Sequence, residues 1–67
     1  MIKNNLKEIR MKEYMLNKKE FAKMLDIAEQ QYLRYENGIT APSLEVCLKI
    51  AKSLSKRMDD IWHLDND

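Results

Sequence analysis

The chain contains one glycine and one proline, and they stand four positions apart in the stretch YLRYENGITAPSLE, residues 32–45. A chain that otherwise reads as helix must stop and restart there. Gly38 fits the position just past a helix end, where the backbone takes a positive φ that costs glycine nothing, and Asn37 tolerates the last turn before it. Pro42 has no N–H to donate and a ring that collides with a preceding helical turn, so no helix crosses the gap. Ser43 is then placed to cap a new helix. In that helix Leu44, Cys47, Leu48, Ala51 and Leu54 recur at helical spacing, and Val46 and Ile50 widen the apolar face.

On either side of this break the residues favour helices. The chain is 45% apolar and 34% charged, rich in Lys, Glu, Leu, Met and Ala and poor in β-branched residues, a balance that predicts an all-α fold. A first helix is expected over residues 4–15, with Leu6 and Ile9 inward. Asn17 followed by Glu20 has the spacing of a capping box, and Phe21, Ala22 and Leu25 share one face of a second helix over 18–25. Asp26-Ile27-Ala28 interrupts it, since Asp tolerates a left-handed turn better than most residues. A third helix over 29–37 then places Tyr32 and Tyr35 on one side. Asp59 and Asp60 suit the start of a fifth, short helix over 58–62. The expectation is one domain over residues 1–67, with Met1-Ile2-Lys3 pairing as a strand with Trp62-His63-Leu64.

In a chain of 67 residues a single core buries only about 60% of the unfolded surface, which favours association. Met58, Ile61, Trp62 and Leu64 exceed what one terminal turn hides, so a homodimer contact is expected there.

Several kinds of chemistry have no support in the residues. The lone Cys47 makes no internal disulfide, no apolar run approaches the ~18 residues of a membrane span, and the N-terminus lacks a signal-peptide core. A soluble, cytoplasmic chain without membrane partners is expected. One His63 and one Cys47, with no Gly-rich phosphate loop and no nucleophile–base spacing, predict no metal, no cofactor, no small-molecule ligand and no enzymatic activity. Cys47 reads as a small core residue.

Net charge is +1, but residues 1–25 hold seven bases against three acids and residues 26–67 five bases against eight acids. Charge alone does not separate an anion-facing surface from a solvated lysine-rich helix face.

The pattern of two short helices, a three-residue turn, a glycine stop and a longer packing helix is that of a helix-turn-helix module. In sequence, NKKEFAKMLDIAEQQYLRYENGITAPSLEVCLKIAKSL resembles the Cro and phage-repressor (XRE-type) regulators. The resemblance runs over residues 6–62 and rests on Glu36-x-Gly38-x-x-x-Pro42-Ser43, with Phe21-Ala22 and Ile50-Ala51 at matching offsets. It implies a compact five-helix, lambda-repressor-like domain whose third helix enters the major groove of double-stranded DNA. It further implies a sequence-specific transcriptional regulator, a repressor that occupies a two-fold operator as a homodimer. The alternative keeps the fold as a protein-interaction module, such as an antitoxin or antirepressor partner; the acidic C-terminal half favours it, and Lys18, Lys19, Gln30 and Arg34 oppose it.

With the third helix in the groove, Glu29, Gln30, Leu33 and Arg34 are the expected base contacts. Gln30 suits adenine, Arg34 guanine, Glu29 the cytosine amino group and Leu33 a thymine methyl. Lys18 stands where the family commonly has the glutamine that starts the second helix and meets a phosphate; Lys19, Asn37 and Thr40 are the other expected phosphate contacts. Arg10 and Glu36 resemble the family's ion pair between the first and third helices. Departures are also expected to matter. Tyr32 replaces a small core residue, so its ring must pack and its hydroxyl must find a partner or water. The Arg10–Asn17 spacing holds one residue more than usual, which predicts a longer loop over Tyr14-Met15-Leu16. Asp26 stands for a turn glycine, Ala28 for a capping serine, and Ile39-Thr40-Ala41 carries no base.

Overall fold

Local capping sets most of the helix boundaries. In the computed structural model, which describes residues 2–65, the order is β1 (Ile2–Asn4), α1 (Leu6–Ile9) continued by a π-helical turn (Arg10–Tyr14), α2 (Lys18–Met24), α3 (Glu29–Glu36), α4 (Leu44–Leu54), α5 (Met58–Ile61) and β2 (Trp62–Leu64). The fold is thus all-α with one short antiparallel sheet, in which Ile2 faces Leu64, Lys3 faces His63 and Asn4 faces Trp62. Met1, expected in the first strand, lies outside the described residues.

Asn17 and Glu20 form the capping box: the Asn17 side chain accepts from the Glu20 N–H at 2.8 Å, and the Glu20 carboxylate accepts from the Asn17 N–H at 3.1 Å. Asp26 takes the left-handed conformation, φ +59, and turns the chain from α2 into α3. Gly38, at φ +74, ends α3 in the same way. Ser43 caps α4 by accepting from the Val46 N–H at 3.3 Å.

Both ends of the chain depart from expectation. The first helix starts at Leu6 rather than residue 4, because Asn4 belongs to the strand. The Asn4 amide oxygen accepts the Leu6 N–H at 3.0 Å while its nitrogen donates to the Tyr35 carbonyl at 2.9 Å, tying the strand to α3. At the other end Trp62 is extended and opens β2, so α5 stops at Ile61. The Asn5 N–H donates to the Ile61 carbonyl at 2.8 Å, which joins the two termini of the sheet.

The surplus residue between Arg10 and Asn17 is absorbed inside the helix and not in a longer loop. A π-helical turn holds one residue more than an α-helical turn. Here the N–H groups of Met15 and Leu16 both point at the Arg10 carbonyl, the latter at 3.3 Å, and Met15 takes a left-handed conformation at φ 52 to leave the helix.

The core consists of Leu6, Ile9, Phe21, Ala22, Leu25, Tyr32, Tyr35, Ile50, Ala51, Leu54 and Ile61. Phe21 lies at its centre, 5.5 Å from the ring of Tyr14 and 5.5 Å, edge to face, from that of Tyr32. Helix α4 is rotated relative to the expected stripe. Cys47, Ile50, Ala51 and Leu54 point inward, whereas Leu44 and Leu48 are 68% and 54% exposed. So many positions of this helix are apolar that spacing alone did not choose its buried face. Cys47 packs with its thiol toward the Pro42 carbonyl at 3.7 Å, and burial raises its pKa. The apolar C-terminal segment is largely hidden within one chain. Ile61 is fully buried, Met58 and Trp62 are half-buried, and Leu64 stands exposed opposite an exposed Ile2. Among the described residues no helix is long and apolar enough to cross a membrane. No cluster of His, Cys, Asp and Glu among them is placed to hold a metal ion.

Candidate nucleic-acid interface

Helix α3 divides its residues by face. Tyr32 is buried completely and Tyr35 nearly so, and both point into the core. Glu29, Gln30, Arg34 and Asn37 are exposed on the opposite side. At 100° per residue Gln30 and Asn37 occupy the centre of that outer face, with Glu29 and Leu33 on one flank and Arg34 on the other. Leu33 is only half-exposed and packs against the edge of the core, so its contact with a groove would be shared with a structural one.

The ion pairs take up some of the bases and leave others free. Lys3, Arg10, Lys49, Lys56 and Arg57 are matched by Asp65, Glu36, Glu45, Glu13 and Asp59. Among the described residues the bases without such a partner are Lys7, Lys12, Lys18, Lys19, Lys23, Arg34 and Lys52; four of these seven lie within the α2–turn–α3 unit. Lys18 and Lys19 are exposed in the first turn of α2, beside the Asn17–Glu20 capping box. Lys19 and Lys23 line one shallow groove together with Ala28 and Glu29 at the start of α3. Lys23 was not anticipated from the sequence, although its position one turn after Lys19 puts the two on one face.

Behind this surface stands a buried ion pair. Arg10 donates from Nη2 to Glu36 Oε1 at 3.0 Å and from Nη1 to the Leu16 carbonyl at 3.1 Å. The two side chains are 8% and 2% exposed. One guanidinium therefore joins the first helix, the π turn leading into α2 and the last turn of α3. Burial works against the Arg10 charge, but the hydrogen bond and field of Glu36 outweigh it and raise the guanidinium pKa. The Tyr32 ring fills the core, and its hydroxyl is buried beside this pair without completing a hydrogen bond to either side chain. Burial first, and then the negative charge of Glu36, push the phenol pKa well above its ordinary value; Arg10 opposes this and is outweighed.

At the end of α3 two residues expected to act separately are joined. Arg34 Nη2 donates to Thr40 Oγ at 3.0 Å, and the N–H groups of Ile39 and Thr40 point at the Arg34 carbonyl at 2.9 and 3.3 Å. Thr40 thus has its backbone N–H occupied, leaving the hydroxyl proton to offer a phosphate. Asn37, the C-cap of α3, is exposed beside Gly38.

The helix-turn-helix family model matches residues 6–61. A Bacillus subtilis protein bearing the name uncharacterized HTH-type transcriptional regulator is 29% identical over 66 residues, covering 98% of each chain. A Methanocaldococcus jannaschii protein of the same description is 33% identical over 66 residues, again covering 98% of each.

Proposed function

The chain belongs to the helix-turn-helix family, and from that premise we propose that it is a cytoplasmic, sequence-specific transcriptional regulator that represses by occupying its operator. Helix α3 lies in the major groove. Gln30 at the centre of its outer face reads adenine through N6 and N7, Arg34 reads guanine through O6 and N7, and Glu29 and Leu33 contact neighbouring base edges. Lys18 and Lys19 at the start of α2, with Asn37 and the hydroxyl of Thr40 beyond α3, hold the phosphates that fix the register. The observation that carries this reading is the coincidence of an outward, polar α3 face with Lys18, Lys19, Lys23 and Arg34, which have no acidic partner among the described residues, on the same two helices.

One such module makes three or four base contacts, too few for selectivity among genomic competitors, so two copies act on a two-fold site. Ile2 and Leu64, exposed opposite one another in the sheet, are the remaining apolar groups of the terminal segment for that homodimer contact. Sedimentation at tens of micromolar should give a dimer, and removal of residues 62–67 should weaken it.

The functional reading is tested by selecting bound duplexes from a random pool and then comparing two variants. Gln30→Ala should cost about 1–3 kcal/mol on the selected operator and almost nothing on random duplex. Lys18→Ala should weaken every sequence alike and lower the salt slope by about one unit. Equal losses on both kinds of DNA would remove α3 from the groove. No loss with either variant would favour a protein-binding module.

A further inference from the structure

The path of the chain after α3 gives Arg34 a constraint that the other outward residues lack. Gly38 turns the backbone back at φ +74, so that the next two N–H groups both reach the Arg34 carbonyl. This return brings the Thr40 hydroxyl to the far end of the same residue, 3.0 Å from Nη2. Arg34 is thereby held at its carbonyl and at its guanidinium by one segment of three residues.

A free arginine side chain distributes itself over many rotamers, and a planar fork reads a base edge only in one orientation. Of its five N–H donors the Thr40 bond uses one. The remaining donors still include an adjacent pair, which matches two acceptors in a plane, as guanine presents at O6 and N7. Thr40 Oγ accepts from Arg34 while keeping its own proton, so the same hydroxyl can donate to a phosphate oxygen. The loop carries no lysine or arginine to do either task.

We propose that Thr40 is a positioning residue for base recognition: its hydroxyl holds the Arg34 guanidinium in the orientation that grips one guanine, and links that grip to the adjacent phosphate. This rests on α3 lying in the major groove as proposed above. It assigns to Thr40 an effect on sequence preference, which a phosphate contact alone does not have.

The test is selection of duplexes from a random pool by the full chain and by Thr40→Val, Thr40→Ser, Arg34→Ala and Gln30→Ala, each first shown to be folded by its helical circular dichroism. Thr40→Val keeps the shape of the side chain and removes the acceptor. It should lose the guanine preference at the one base pair that Arg34→Ala also relaxes, with about tenfold weaker binding to the selected operator. Thr40→Ser should restore both, and adding Thr40→Val to Arg34→Ala should cause no further loss of preference. A Thr40→Val profile identical to that of the parent, or a uniform loss on all sequences, overturns the proposal. If Gln30→Ala still relaxes its own base pair in that case, α3 reads the groove and only the role of Thr40 fails. If no variant alters any preference, both the proposal and the reading of α3 fail together.

Discussion

Helices α2 and α3 are joined by a short turn and pack together, yet they are held in opposite ways. The first turn of α2 is closed by a reciprocal pair of side-chain hydrogen bonds between Asn17 and Glu20. The first turn of α3 follows Ala28, whose extended backbone, φ −60 and ψ 140, suits a cap but whose side chain has no oxygen to provide one. Helix α3 is secured from its other end instead. Tyr32 and Tyr35 are buried, Glu36 is paired with Arg10, and the Tyr35 carbonyl accepts from Asn4. Helix α2 is specified locally and α3 by tertiary contacts. The outward first turn of α3, with Glu29 and Gln30, therefore has the weaker attachment, where the proposed DNA contact would add most.

The comparison breaks most visibly at the ion pair. Glu36→Gln should cost about 3 kcal/mol or more in chemical denaturation, because Arg10 would keep its charge in a buried site without an ionic partner. Asn17→Ala, which opens only a cap at the protein surface, should cost about 1 kcal/mol. A double-mutant cycle of Arg10 and Glu36 should give clear coupling; coupling near zero would mean that α3 is anchored by its tyrosines alone.

That division also explains what was legible in the sequence. Capping signals act between residues three or four apart, so Asn17 with Glu20, Ser43, the Asp26 turn and the Gly38 stop were all readable from their neighbours. The Arg10–Glu36 pair spans 26 positions and was legible only through resemblance to a family. Features that depend on packing were misread or missed. Leu44 and Leu48 face outward because α4 meets the core through Cys47, Ile50, Ala51 and Leu54, a choice its nearly continuous apolar run left open. Trp62 leaves the last helix because Asn4 and Asn5 supply a strand and a hydrogen bond from the other end of the chain. Nothing local marks the π turn, since its extra residue is accommodated by a shift of hydrogen bonds to the Arg10 carbonyl. For the candidate site, helical spacing placed Glu29, Gln30, Leu33, Arg34 and Asn37 outward, and of these Leu33 is half-buried against the edge of the core. The bond between Arg34 and Thr40 depends on the loop path after Gly38, which spacing does not give.

The buried end of α3 should also respond to alkali. The Tyr32 phenol has a raised pKa in the folded chain, so between its ordinary value near 10 and that raised value the folded state binds the proton that the unfolded state releases. Stability from this group is complete below about pH 10 and falls as pH rises, by at most about 1.4 kcal/mol per pH unit. Tyr32→Phe should remove this fall. It should alter stability at neutral pH by less than about 1 kcal/mol, since the hydroxyl it deletes completes no hydrogen bond to a side chain among the described residues. Denaturation midpoints of the two proteins at pH 7 and pH 11 measure both effects; parallel losses at pH 11 would assign alkaline sensitivity to another group.

The finest test supplies α3 with the cap that α2 already has. Ala28→Ser places a hydroxyl on a backbone that is already extended, and the free N–H groups of the first turn of α3 lie within its reach. The expected gain is about 1 kcal/mol or less in denaturation, close to what Asn17→Ala removes from α2. Its location is more informative than its size. Amide hydrogen exchange at Gln30 and Gln31 should slow in Ala28→Ser, while exchange in α2 and in the Tyr35–Glu36 turn should change only as far as global stability does. A uniform slowing would show that the first turn of α3 already opens only with the whole domain. A slowing confined to that turn would show that the new hydroxyl closes the first turn of α3 as Asn17 closes that of α2, and leaves the tertiary anchoring of its other end as it was.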